Sequence, residues 1–270
     1  MKKKINIGLI GYGNWGKKIF RNLKYFSNTR VYIFKKKNNN NKNFNYLKKF
    51  SELTNYNFDA IISATNYKVH SKLCLFCIKN NLPVFLEKPL TKNINLFKQI
   101  EQTKNYKKNI VHINYIYKRY IEYLKIKNKK KIKKIVLVMG SPSNNNLYND
   151  NLWDWAPHVL SVLFYLNKSK LINISIKKKF KNFFLKCQFK NKMIALCYFG
   201  NNFKKSCKKI NFLYAKGKTT IDFNKVNKIE NSPLFISLKQ FFDDIYKANN
   251  NITDLSLTKK ITNVIIKLKK

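Results

Sequence analysis

Three short stretches carry side chains whose types and spacing suit chemistry. Trp153-Asp154-Trp155-Ala156-Pro157-His158 sets a carboxylate four residues before an imidazole. On a helix that spacing puts both groups on one face, a turn apart. A carboxylate beside a histidine fixes its tautomer and stabilises its protonated form, so His158 is a candidate general base. Pro157 has no N–H to donate, which suits the first turn of a helix starting near Asp154, where a carboxylate meets the positive end of the helix dipole. Glu87-Lys88-Pro89 places an ammonium group before a proline that restricts the backbone of Lys88 and so the direction of its side chain. Gly11-Tyr12-Gly13-Asn14-Trp15-Gly16 is a G-x-G-x-x-G turn. Gly11 permits a tight turn, Gly13 lets backbone approach a diphosphate, and Gly16 lets helix and strand pack closely. Taken singly, Asp154 also reads as a helix cap and the glycines as a plain turn; their combination singles them out.

These residues need a scaffold. The apolar run Ile5 to Ile10 leads into the glycine turn, and Trp15, Ile19, Leu23 and Phe26 recur at helical spacing after it. Strand, glycine turn and helix form the context in which this motif binds a dinucleotide, with the helix N–H groups facing its phosphates. Strands follow at 30–34, 59–64, 83–86 and 110–113, and helices at 70–80 and 93–103, with a short helix expected over 44–50. This alternation builds a doubly wound parallel sheet. The ends of its strands, Ala64-Thr65-Asn66 and Leu86-Glu87-Lys88, then share an edge with the glycine turn. Past residue 118 the pattern changes. A lysine-rich helical stretch, a strand at 132–138, a polar loop at 141–152 and a helix at 153–166 precede five closely spaced strands and two final helices. The reading is an α/β chain: a doubly wound domain over 1–118 and an α+β domain over 119–270 on a largely antiparallel sheet.

Composition sets limits on partners. The 270 residues hold 56 Lys and Arg against 12 Asp and Glu, a formal charge of +44. The lysines run from Lys2 to Lys270 without gathering on a stripe, and Asn, Ile, Phe and Tyr are inflated with them, as AT-rich coding would do. No specific nucleic-acid partner is expected, only loose binding to polyanions at low salt. No apolar run reaches the ~18 residues of a membrane span, and the basic, apolar N-terminus is too short for a secretory signal, so a cytoplasmic protein is expected. The five cysteines are an odd number, and the Cys74–Cys77 pair has no second pair or nearby histidine to complete a metal site. No metal is expected, and the pair reads as the buried face of a helix.

The stretches GLIGYGNWGKKI, DAIISATNYKVH, LPVFLEKPLTKN and WDWAPHVLSVLFYL, in that order, resemble the Gfo/Idh/MocA oxidoreductases, named for glucose–fructose oxidoreductase and inositol dehydrogenase. The resemblance implies an N-terminal Rossmann domain that binds NAD or NADP and a C-terminal domain that covers the substrate. It implies a cofactor site of Gly11, Gly13, Asn14, Trp15, Gly16, Thr65, His70 and Glu87, with Glu87 near the nicotinamide ribose. Lys88 and Tyr115 face the substrate, and Lys88, Asp154 and His158 are catalytic. The Lys88–Pro89 bond becomes a candidate for the cis form. The implied substrate is a sugar, nucleotide sugar or cyclic polyol, and the implied assembly is a dimer or tetramer formed through the open face of the C-terminal sheet. Three positions depart from the family pattern. The acidic residue expected ~20 residues after the glycine turn is replaced by Lys35-Lys36-Lys37, which favours the 2′-phosphate of NADP. Asn66 stands in place of a proline, and Ile116 in place of an arginine. The alternative is a catalytically silent dinucleotide sensor, which would be favoured had Lys88 or His158 been replaced.

Overall fold

A computed structural model of the chain describes residues 4–35, 45–47, 49–104, 106, 108–126, 128–142, 151–226, 228–247 and 253–269. Two compact units emerge. One comprises the chain up to Asn114 together with Leu234–Thr262, the other Tyr115–Pro233 with the residues from Asn263 onward.

The first unit opens with strand β1 (Ile5–Ile10), helix α1 (Asn14–Leu23), β2 (Thr29–Lys35) and a two-residue strand β3 (Asn45–Tyr46). Then come β4 (Ala60–Ser63), α2 (Tyr67–Lys79), β5 (Val84–Leu86), α3 (Asn95–Glu101) and β6 (Val111–Ile113). The six strands form one sheet in the order β3-β2-β1-β4-β5-β6, with every pair parallel. Ile7, Leu9, Ile61, Ile62, Val84, Phe85 and Val111 are fully buried. Strands covered on both faces read as short unbroken apolar runs, which is why these were legible. The order reverses between β1 and β4, and the crevice at such a switch point is where this architecture takes its ligand.

The second unit contains α4 (Ile116–Tyr123), β7 (Lys134–Gly140), α5 (Asn151–Leu166), β8 (Leu171–Lys179), β9 (Asn182–Phe189), β10 (Ile194–Gly200), β11 (Cys207–Leu213) and β12 (Lys218–Asp222). Its sheet runs β12-β11-β7-β10-β9-β8 and is antiparallel except for the β7–β10 pair. Alternate residues such as Ile135, Leu137, Ala195 and Cys197 are fully buried, and α5 packs on β7 and β10.

The last helices, α6 (Pro233–Tyr246) and α7 (Leu255–Leu268), modify the expected 119–270 domain. Most of both belongs to the first unit. Asp244 on α6 meets Nε2 of the fully buried His112 at 2.9 Å. Asp254 donates its N–H to the Val111 carbonyl and accepts that of Ile113, at 2.9 and 3.0 Å. Phe26 stacks on Phe235 with ring centroids 4.7 Å apart. Single polar anchors of this kind leave no periodic mark in a sequence.

Two local expectations also change. The short helix over 44–50 is not formed at Asn45–Tyr46, which extends the sheet by pairing with Phe34 and Lys35; residues 44 and 48 lie outside those described. A 3-10 turn follows at Phe50–Asn55, with Glu52 accepting the Lys49 N–H at 3.1 Å. Pro157 lies inside α5 and not in its first turn. The residues around it, from Leu152 to Leu166, are mostly buried. Packing of that length outweighs one N–H missing from the ladder.

Candidate active site

The glycine turn has the geometry that a dinucleotide requires. Gly11 sits at φ +92°, and a Cβ there would lie 2.8 Å from the Ala64 carbonyl oxygen, so a side chain is excluded on both counts. A Cβ at Gly16 would lie 2.2 Å from the Gly11 carbonyl oxygen, which holds α1 tight against the turn. Gly13 is different, because nothing lies within 4 Å of where its Cβ would be. It is the N-cap of α1 and supplies no side-chain acceptor, so the N–H groups of the first turn, at Asn14 and Trp15, are left for an outside anion. An open approach and unspent donors fit the diphosphate of a dinucleotide. The Gly11 N–H donates to the Phe34 carbonyl at 2.9 Å, which places the end of β2, and therefore Lys35, beside the turn. Lys36 and Lys37 lie outside the described residues.

Glu87, at the end of β5, ties the turn to its neighbours. Its Oε1 accepts hydrogen bonds from Trp15 Nε1 and, at 2.5 Å, from Asn114 Nδ2. Asn114 in turn accepts from Ser237 Oγ at 3.0 Å. Burial pushes the Glu87 carboxyl above its ordinary value, opposed by these two donors and by the charge of Lys88. The glycine-turn helix and the ends of β5 and β6 are thereby joined through one carboxylate, and Asn114 carries the chain of bonds on to α6. Lys88 follows directly, partly exposed, and the Lys88–Pro89 bond is cis. Asn114 and Ser237 were missed by sequence reasoning. Asn114 had a signal, as the first residue past β6, but Ser237 comes from 123 residues away and had none.

Other expected site residues take different positions. Thr65 lies against the turn, its Cγ2 3.0 Å from where a Gly11 Cβ would be, and its Oγ1 is 2.8 Å from Ser63 Oγ. His70 is 1% exposed, with its ring nitrogens 3.0 Å from the carbonyl oxygens of Pro89 and Thr65. It braces the Lys88–Pro89 loop against the end of β4 and has no nitrogen directed at a cofactor. Burial lowers its pKa from the ordinary value of 6.5, against those two carbonyls. Tyr115, at 1% exposure, is enclosed and leaves substrate no ring face to touch. Asn66 explains one departure, since its side chain caps α2 by accepting the Lys68 N–H at 3.0 Å. Cys74 and Cys77 are fully buried on α2, and burial pushes the Cys74 thiol up to about 12. Among the described residues no group of three or more His, Cys, Asp and Glu is placed to hold a metal ion.

In the second unit, Asp154 lies in the first turn of α5 and His158 follows one turn later. His158 is 8% exposed, and Tyr117 meets its ring edge-on at 5.1 Å. The Ser161 hydroxyl donates to the His158 carbonyl at 2.8 Å. Edge-on packing against Tyr117 confines the imidazole, and the helical spacing puts Asp154 on the same face of α5 one turn earlier. A separate cleft of about 860 Å³, lined by Leu124, Tyr214 and several lysines, contains none of the expected site residues.

Residues 5–115 match the family described as an oxidoreductase family with an NAD-binding Rossmann fold, Gfo/Idh/MocA. This stretch belongs to the Gfo/Idh/MocA oxidoreductases. The Gfo/Idh/MocA match ends one residue past Asn114, where the first unit leaves its sheet. Likeness in fold extends over the whole chain. A UDP-N-acetylglucosamine 3-dehydrogenase from Acidithiobacillus ferrooxidans is similar at TM-score 0.83 and 13% identity, covering 98% of this chain and 97% of that one. A scyllo-inositol dehydrogenase from Lactobacillus casei is similar at TM-score 0.82 and 14% identity, over 100% and 96%. A myo-inositol dehydrogenase from Corynebacterium glutamicum gives 0.79 and 11%, over 98% and 96%. No curated protein matches the chain in sequence.

Proposed function

We propose that the chain is an NAD(P)-dependent dehydrogenase or reductase acting on a secondary alcohol or ketone of a sugar, nucleotide sugar or cyclic polyol. The observation that carries the proposal is the Glu87 junction, which couples the open glycine turn to the strand end bearing Lys88. Gly13 and the first turn of α1 hold the diphosphate, Lys35 reaches the adenosine ribose, and its charge favours NADP. The nicotinamide of the bound dinucleotide supplies the capacity to accept or give a hydride. His158 takes the hydroxyl proton in the oxidative direction and returns it in the reductive one, with Asp154 stabilising the charged ring. The Lys88 ammonium stabilises negative charge as it develops on the same oxygen. The dehydrogenase names of the structural neighbours support this substrate class, at identities where they speak for fold. A homo-oligomer formed through the second unit's sheet completes the proposal. On the sheet face away from the buried alternates, Val136, Val138, Leu196, Tyr198 and Phe184 form an apolar stripe, the last two 39% and 41% exposed.

Titration of NADH and NADPH by cofactor fluorescence tests the cradle. Binding is expected for the wild type, tighter for NADPH, and lost in Gly13→Asp, where a carboxylate meets the diphosphate. Equal binding by Gly13→Asp would remove the cofactor site from the turn.

A further inference from the structure

The described site lacks a group that recognises the body of a substrate, and α5 offers one. Two tryptophans flank Asp154. Trp153 is buried in the core at 3% exposure. Trp155 is partly exposed, yet its ring is held by a dedicated polar network. Its Nε1 donates to Asn201 Oδ1 at 2.8 Å. Asn201 is itself immobilised, since its Nδ2 donates to Asn151 Oδ1 at 2.8 Å and its backbone N–H to the Lys181 carbonyl at 3.1 Å. Ser141 Oγ donates to the same Asn201 oxygen at 3.4 Å. Ser141 and Asn201 each follow the last residue of a strand, and those residues, Gly140 and Gly200, are partners in the parallel β7–β10 pair. Residues from two strand ends and the start of α5 thus fix one indole.

Such anchoring fixes the plane of an indole that still keeps part of its surface in solvent. Fixing its plane is useful when the ring face is itself a contact surface, because a preorganised aromatic binds without losing rotamer freedom. With its N–H satisfied by Asn201, the indole presents an electron-rich face to a ligand. The complementary surface is a saturated ring with one face of slightly positive C–H groups and hydroxyls at its rim, as in a pyranose or cyclitol. Trp155 stands three residues from His158, about 60° around the helix, so such a ring would lie beside the proposed base.

The geometry points to Trp155 as a specificity-determining stacking platform for a cyclic polyol or sugar ring, with Asn201 as its positioning residue. This rests on the proposed dehydrogenase reading, which it deepens by assigning the substrate's ring to a named contact.

The test uses the full chain with NADP⁺ and two probes, myo-inositol and UDP-N-acetylglucosamine. Saturation-transfer NMR follows binding of each probe, and steady-state kinetics follow the turned-over one. Trp155→Ala is expected to raise KM by about tenfold, with kcat changed by less than about threefold, and to abolish transfer to the ring C–H protons. Trp155→Phe, which keeps an aromatic face, recovers most of both. Asn201→Leu raises KM by an intermediate factor with unchanged NADPH affinity. His158→Asn loses kcat while transfer to the ring protons persists. If His158→Asn loses kcat and Trp155→Ala leaves KM and transfer as in the wild type, the platform is overturned and the dehydrogenase reading stands. If His158→Asn keeps full turnover, that reading fails and takes the platform with it. Absence of transfer from wild-type protein to either probe overturns the ligand class assigned to Trp155.

Discussion

Replacing Glu87 by glutamine removes a buried charge and keeps an acceptor for Trp15 and Asn114. Because burial raises the pKa of the folded carboxyl, its contribution to stability is present at low pH and is lost as pH rises through the folded value. Glu87→Gln is therefore expected to match or exceed the wild type at neutral pH, within about 1 kcal/mol. Glu87→Leu leaves the buried Asn114 donor and the partly buried Trp15 donor unpaired and is expected to lose about 2–4 kcal/mol in chemical denaturation. His70 runs in the opposite sense. Its folded pKa is lowered, so the unfolded chain binds more protons as pH falls below the ordinary value of 6.5. Stability is lost on acidification from that point until the folded value is passed. His70→Gln should flatten this slope by at most about 1.4 kcal/mol per pH unit, read from urea midpoints across the acid limb. The glycine turn was legible residue by residue because Gly11 and Gly16 each answer a separate steric demand and Gly13 leaves the approach to α1 open. The bracing role of His70 was not, since its partners are two backbone carbonyls, which the identities of neighbouring residues do not reveal.

Among elements, the parallel sheet was readable because its strands are short apolar runs between polar breaks. The Asp-x-x-x-His spacing also placed its pair correctly on one helix. The start of α5 was misread, because Pro157 signals a helix start only where packing is weak. The greatest departure concerns α6 and α7. Their amphipathic patterns announced helices, but nothing in them announced docking on the first unit through Asp244 and Asp254. A consequence follows for truncation. The fragment 1–118, a whole domain on sequence grounds, lacks the partners of His112, Ile113 and Asn114. It is expected to show no cooperative thermal transition and to bind hydrophobic dye. A fragment 1–118 that melts cooperatively and binds NADPH as the full chain does would show that α6 and α7 are dispensable there.

At the scale of the whole molecule, charge and assembly are separable. The formal charge of +44 is spread along the chain, so retention on DNA should fall away as salt rises towards physiological strength. Assembly is proposed to use the apolar stripe of the second sheet. Light scattering is expected to give a dimer or tetramer for the wild type and a monomer for Tyr198→Asp paired with Phe184→Asp, two neighbours across β9 and β10. Catalysis asks for more, because the proposed reaction uses both Lys88 and His158. Groups that act as a unit have strongly non-additive effects. The decisive measurement is kcat/KM for Lys88→Ala, His158→Asn and the double variant, with NADPH affinity checked in each. Each single change is expected to cost about a thousandfold or more, the double change little beyond either, and cofactor binding to persist throughout. Turnover near wild type in either single variant, or losses that multiply in the double variant, would contradict a shared role at one hydroxyl.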